Sequence, residues 1–223
     1  MNRDKVHLYS RASKASYART RNEKQKIMDS EGLSDWVLDD QLSNKEHSVF
    51  THKNGRDVIF ATRGTDFQNK NKGRAGDLFT DALLTVGLEK ITPRYKRAER
   101  HLKRTLEKHK GKNTVLTGHS LGGEISNELA KKYDLESHVF NKGTSPSVHN
   151  MKAKTLQALF NSEQVKKQKK KNHSYVVPGD LISNSAIMDN TISNHVVEKN
   201  PELKGSGILH PHNIDHFSNA RVM

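Results

Sequence analysis

The segment that most restricts how this chain can fold is Gly118-His119-Ser120-Leu121-Gly122. Before it, Asn113-Thr114-Val115-Leu116-Thr117 reads as a strand rich in β-branched residues. After it, Leu121, Ile125 and Leu129 recur at i, i+4 and i+8 and read as one face of a helix running to about residue 132. A G-x-S-x-G pentapeptide alone is a weak signal. Between a strand and an amphipathic helix it is a specific one, because a sharp strand-to-helix turn can hold a serine in a strained backbone conformation with its hydroxyl above the sheet edge. Residues two before and two after such a serine would collide if they carried Cβ atoms, and Gly118 and Gly122 occupy those places. Gly123 lets the helix lie close to the sheet. The helix N-terminus then turns backbone N–H groups toward any negative charge that develops beside the serine. Ser120 is the candidate nucleophile.

The rest of the chain supplies a frame for that turn. Residues 3–28 look mostly helical, with Val6, Leu8, Ala12, Tyr17 and Ile27 as apolar members, and Gly32 and Ser34 break the pattern around Trp36. Residues 47–51 and 58–62 read as strands flanking Asn54-Gly55, a strong hairpin signal. Residues 66–76 form a polar loop, and an apolar stretch over 78–88 leads into a helix with Tyr95, Ala98, Leu102 and Leu106 at spacings of three or four. Strands at 137–140 and 173–177 bracket a helix around 153–165. Strands alternating with helices predict one α/β domain over residues 1–223, its central sheet largely parallel with an antiparallel hairpin at the N-terminal edge.

A serine is a weak nucleophile without a base, so a histidine and an acid must come from elsewhere. After an elbow of this kind the chain order is Ser, then Asp or Glu, then His. Downstream stand Asp134, Asp180, Asp189 and Asp215. Asp180 follows a strand that ends in Pro178-Gly179, which puts its carboxylate at a strand's C-terminal edge, where the catalytic groups of α/β folds gather. Asp134 belongs to the turn after the Ser120 helix, on the far side. Seven histidines follow Ser120 (His138, His149, His173, His195, His210, His212 and His216), and residue type alone does not choose among them. A metal site from His210, His212 and His216 is conceivable, but Pro211 breaks helical spacing and there is no thiolate to help.

The chain has no cysteine, which excludes disulfide scaffolds, zinc–thiolate sites, iron–sulfur clusters and cysteine nucleophiles. No run approaches the ~20 apolar residues of a membrane span, and no apolar signal-peptide core follows Met1. The net charge is +13 and it is concentrated. Residues 94–112 hold nine Lys/Arg against two Glu, and residues 166–171 hold five Lys and no acid. The first block is the solvated side of an amphipathic helix, and the second is expected to fray into solvent at a helix end. Such faces suit an anionic membrane surface or nucleic acid. Nucleic acid is the poorer fit, since there is no zinc-finger spacing, no RNP-like motif and few aromatics to stack bases.

Four motifs in order resemble the class 3 lipase family, over roughly residues 45–218. Phe60-Ala61-Thr62-Arg63-Gly64-Thr65 is similar to the family's F-R-G-[TS] segment. Leu116-Thr117-Gly118-His119-Ser120-Leu121-Gly122-Gly123 is very close to its elbow. Val139-Phe140-Asn141-Lys142-Gly143-Thr144-Ser145-Pro146 resembles its next strand, and Gly179-Asp180-Leu181-Ile182 its acid motif. The resemblance implies an α/β-hydrolase-like fold with helices on both faces of the sheet. It also implies hydrolysis of carboxylic esters of lipids through an acyl-enzyme on Ser120, oriented by Asp180, without metal or cofactor. The family's H-x-L-x-x-[YF] pattern fits His212-Asn213-Ile214-Asp215-His216-Phe217 and so assigns the base to His212. Thr65 takes the family's oxyanion position, and the Leu121 N–H is the second donor. The chain departs from the family at Leu78-Phe79-Thr80-Asp81, where a Trp-x-x-Asp is usual, and in its polar 66–76 segment, where secreted members have an apolar lid. It therefore looks closer to intracellular or viral members, which implies the cytoplasm, or a host cell or virion. The competing expectation is a catalytically idle lipase-fold binding or virion protein that uses its basic face on membranes or nucleic acid.

Overall fold

The computed structural model describes residues 3–65, 88–143, 162–180, 192–203 and 212–217. Helices α1 (Arg3–Ala15) and α2 (Arg21–Ser30) precede strands β1 (Trp36–Leu38), β2 (His47–His52) and β3 (Asp57–Thr62). There follow α3 (Leu88–Lys108), β4 (Asn113–His119), α4 (Leu121–Tyr133), β5 (Glu136–Phe140), α5 (Ser162–Lys171), β6 (Asn172–Val176), β7 (Ser193–Val196) and a 3-10 turn, Ile214–Phe217. The seven strands form one sheet in chain order. The β1–β2 and β2–β3 pairs are antiparallel and every pair from β3 to β7 is parallel, as the sequence led us to expect.

Strand periodicity divides the core in two. Phe50, Ile59 and Val115 are register neighbours on one face, where they pack with Val6, Tyr9, Ala12 and Met28 of α1 and α2. Val49, Phe60 and Leu116 are neighbours on the other face, against Ala98 and Leu102 of α3 and Ile125 and Leu129 of α4. Each fully buried Phe, Leu or Ile contributes about 1.5–3 kcal/mol. These near-continuous apolar runs are what a sheet covered on both faces requires.

Two expectations are corrected in detail. The helical stretch over 3–28 is two helices, because Thr20 and Glu23 form a reciprocal capping box that starts α2 afresh. The lysine run at 166–171 lies within α5 instead of fraying, and Lys167 and Lys171 both reach the Asp134 carboxylate at the end of α4. The short edge strands β1 and β7 were not anticipated. The polar loop at 66–76, the apolar stretch up to residue 87, the expected helix over 153–161, and His149, Asp189 and His210 lie outside the described residues.

Parallel strands fix what can meet. The ends of β3, β4, β5 and β6 all open on one edge of the sheet, carrying Gly64, Ser120, Asn141 and Asp180. Helix α3 starts its described side chains at that edge, where Arg94 reaches the Arg63 carbonyl, and runs away from it. The lysines at 108–112 and at the end of α5 therefore stand at the opposite edge, where β4 and β6 begin. At ~3.3 Å per residue, seven-residue β4 separates the two edges by roughly 20 Å.

Candidate active site

Ser120 has φ 57° and ψ −131°, a conformation costing about 1–3 kcal/mol that only a well-braced turn can hold. The bracing is visible. The Ser120 N–H donates to the Phe140 carbonyl at 3.1 Å, and the Ser120 carbonyl accepts from Glu124 N–H at 3.1 Å and Gly143 N–H at 3.0 Å. A Cβ on Gly118 would lie 2.8 Å from the Gly123 nitrogen, and one on Gly122 would lie 2.7 Å from the Arg63 carbonyl carbon. A Cβ on Gly64 would meet the Ser120 Cβ at 3.2 Å, so the β3 exit is pressed directly against the serine. Ser120 stands in the capping position of α4, yet its hydroxyl makes no capping hydrogen bond and is left for other work.

Asp180 is placed by a turn. Val177-Pro178-Gly179-Asp180 closes with Asp180 N–H donating to the Val177 carbonyl at 3.2 Å, with Gly179 at φ 83°, the pattern of a type II turn. Asn141, itself at φ 38°, accepts the Val177 N–H on its side chain at 3.0 Å and so ties the end of β6 to the end of β5. The Asp180 Oδ2 then lies 2.9 Å from His212 Nδ1, with both side chains buried. A carboxylate only accepts, so Nδ1 carries the proton and Nε2 of the neutral ring presents a lone pair. That Nε2 is buried and has no hydrogen-bond partner among the described residues.

Two residues that sequence reasoning missed complete the arrangement. His119 Nε2 donates to the His212 carbonyl at 2.6 Å, and its Nδ1 accepts from the Tyr17 hydroxyl at 2.9 Å. The two imidazoles stand 4.7 Å apart between ring centres. Burial, followed by the proximity of His212, pushes the His119 pKa down to about 3, so this ring is neutral. Nothing in the local sequence distinguishes Tyr17 from an apolar helix residue.

The structure brings together the Ser120 elbow, Asp180, His212 and the Gly64–Thr65 segment, with the Leu121 backbone at the first turn of α4. It leaves His216 apart: that ring is fully buried, and its Nδ1 accepts the Asn200 N–H at 3.1 Å. Asp215 pairs with Lys14 at 2.6 Å and Arg11 at 3.5 Å. His138, His173 and His195 stack on one another along β5, β6 and β7. No cluster of three or more His, Asp or Glu suited to a metal ion is found among the described residues, and among them no helix is long and apolar enough to cross a membrane.

A mixed seven-stranded sheet covered on both faces, with a glycine-flanked serine elbow at the end of a central strand, is the architecture of α/β-hydrolase-like lipases and their relatives. The family model for phospholipase-like proteins of the Tle-like phospholipase domain matches residues 5–206, and the chain belongs to that family. Membership makes it a carboxylic ester hydrolase of the lipase and phospholipase class. Among solved structures, a deletion mutant of Rhizomucor miehei lipase in complex with its propeptide is similar, with TM-score 0.50, 12% identity, and coverage of 98% of this chain and 79% of that one. Lipase II from Rhizopus niveus has TM-score 0.47, 13% identity and coverage of 99% and 84%. A mutant MDLA from Penicillium cyclopium has TM-score 0.47, 11% identity and coverage of 99% and 85%. No curated protein matches the chain in sequence.

Proposed function

We propose that the protein hydrolyses carboxylic esters of phospholipids or related lipids through a covalent acyl-enzyme on Ser120. His212 Nε2 takes the Ser120 proton as Oγ attacks the acyl carbon. The oxyanion of the tetrahedral intermediate is met by the backbone N–H groups of Thr65 and Leu121. Collapse of the intermediate breaks the ester C–O bond, and the His212 imidazolium gives its proton to the departing alcohol. Water, deprotonated by the same nitrogen, then releases the carboxylic acid and restores Ser120. Asp180 remains ionised throughout, fixing the tautomer and stabilising the imidazolium. None of these steps calls for a metal or organic cofactor.

The observation that carries this reading is the buried Nε2 of His212, without a partner among the described residues, beside a serine elbow whose hydroxyl makes no capping hydrogen bond. A buried polar atom without a partner costs about 1–3 kcal/mol, and a reacting hydroxyl proton is the partner this one lacks. The test is reaction of the folded protein with a fluorophosphonate and mapping of the adduct. Modification of Ser120 with loss of ester hydrolysis is the expected result. Labelling elsewhere, or none on folded protein, overturns the assignment.

For the lipid surface, we propose contact through the first half of α3. Lys96 and Arg100 are exposed there, on the helix whose Arg94 reaches the Arg63 and Gly64 carbonyls. The α5 lysines stand at the opposite edge, about two Debye lengths of ~8–10 Å from Ser120, too far to hold the site against the same surface.

A further inference from the structure

The segment Arg63-Gly64-Thr65 must pass Ser120 closely and yet hold one N–H in a fixed direction. The close pass demands glycine, since a Cβ at 64 would strike the Tyr17 hydroxyl and the His119 carbonyl and crowd the Ser120 Cβ. Glycine also makes the peptide between residues 64 and 65 the easiest one in the segment to rotate. Something else has to fix it. The Arg94 guanidinium, from α3, lies over this stretch: its Nη2 donates to the Arg63 carbonyl at 2.7 Å and also reaches the Gly64 carbonyl at 3.4 Å. The side chain is half-buried and forms no ion pair among the described residues, where the nearby Glu46 carboxylate is taken by Arg97 at 2.9 Å. Its hydrogen bonds among the described residues thus go to these two backbone carbonyls.

A trans peptide is planar, and its C=O and N–H point to opposite sides. Holding the Gly64 carbonyl toward α3 therefore turns the Thr65 N–H away from α3. We propose that Arg94 is a positioning residue, which aims the Thr65 N–H at the oxyanion by clamping the carbonyl on the other side of the same peptide. The proposal rests on the reading of Thr65 as an oxyanion donor. Arg94 itself touches neither substrate nor the reacting atoms.

The experiment compares wild type, Arg94→Gln and Arg94→Lys on a soluble short-chain ester, with two inhibitors. One is a trifluoromethyl ketone, which adds Ser120 Oγ to form a hemiketal oxyanion, and the other is the matching ether, which binds without forming one. Removing one oxyanion donor costs about 10²–10³ in kcat, and misaiming it should cost somewhat less. We expect Arg94→Gln to lower kcat by about 10- to 100-fold with KM within about threefold. Affinity for the ketone should fall by a similar factor, and affinity for the ether should stay put. Arg94→Lys still brings an N–H donor to the carbonyls and should fall between Gln and wild type. Wild-type kcat and ketone affinity in Arg94→Gln would overturn the proposal while leaving Ser120 catalysis intact. Equal losses for ketone and ether, or a Lys variant no better than Gln, would reduce Arg94 to a structural contact and overturn it too. If Ser120→Ala hydrolyses the ester as well as wild type, the catalytic reading fails and takes this inference with it.

Discussion

Mild acid should unfold this protein through its buried histidines. His47, on β2, is sandwiched between Phe60 at 5.2 Å and His101 at 5.1 Å, and neither of its ring nitrogens has a hydrogen-bond partner among the described residues. Burial, aided by His101, pushes its pKa down to about 3. His119 is likewise held at about 3, and His173, by burial and then His138, at about 4. A lowered folded pKa means that the fold accepts only the neutral ring, whereas the unfolded chain takes up a proton near pH 6.5. Stability is thus intact above pH 6.5 and is lost as the pH falls from 6.5 to about 4 for His173 and to about 3 for His47 and His119. At pH 5 each such ring costs about 2 kcal/mol, and the three together about 6 kcal/mol, against a total stability of order 5–15 kcal/mol. The carboxylates held low by their partners, Glu136 at about 2 through His138 among them, add their losses only below about pH 4.5, in a separate window.

The assay is urea unfolding followed by the fluorescence of Trp36, the single tryptophan, at pH 7.5, 6.5, 5.5 and 5.0. With a slope of ~2 kcal/mol per molar urea, a 6 kcal/mol loss moves the midpoint by about 3 M between pH 7.5 and 5. His47→Phe keeps an aromatic ring between Phe60 and His101 and removes the titration. It should regain about 2 kcal/mol at pH 5 and cost nothing at pH 7.5. A midpoint that does not move between pH 7.5 and 5 would refute the reasoning, as would a His47→Phe variant with the wild-type pH dependence.

The catalytic assignments separate by readout. Asp180→Asn and His212→Ala should each lower turnover by about 10³–10⁴ with the urea midpoint little changed, whereas His216→Ala should lower the midpoint and spare kcat, because its ring receives the Asn200 N–H instead of a substrate proton. On anionic vesicles, Lys96→Glu with Arg100→Glu should lose several-fold more activity at low salt than Lys169→Glu with Lys170→Glu, with no difference on a soluble ester. Equal losses from the two pairs would remove the distinction between the near and far basic faces.

What could be read from the sequence was what local chain geometry dictates. The elbow was legible because strand, glycines and helix are contiguous, and Asp180 because a strand runs into Pro178-Gly179. The hairpin at Asn54-Gly55 and the alternating strands and helices gave the mixed sheet. His212 was legible only through family spacing: the feature that separates it from His216 is a carboxylate 32 positions away for one and the Asn200 N–H for the other. The capping box of α2 stands in the sequence as Thr20 and Glu23. The helical lysines of α5 were not legible, since their support is Asp134 on another helix. Nor was Tyr17, whose partner His119 lies 102 residues on.

His119 links the acid sensitivity to the proposed chemistry. Its Nε2–H holds the His212 carbonyl, so it must sit against the His212 ring, and in the proposed acyl-transfer steps that ring becomes a cation. A second positive charge at the 4.7 Å ring separation would raise the energy of that imidazolium by about 3.5 kcal/mol at an effective dielectric of ~20. Carried into the transition state, this is a loss of two to three orders of magnitude in rate. The Tyr17 hydroxyl, by occupying Nδ1 as a donor, keeps the tautomer that points Nε2–H at the carbonyl, and burial keeps the ring unprotonated. On the proposed mechanism, the burial of His119 that leaves His212 free to accept a proton should also make His119 one of the three rings through which acid opens the fold.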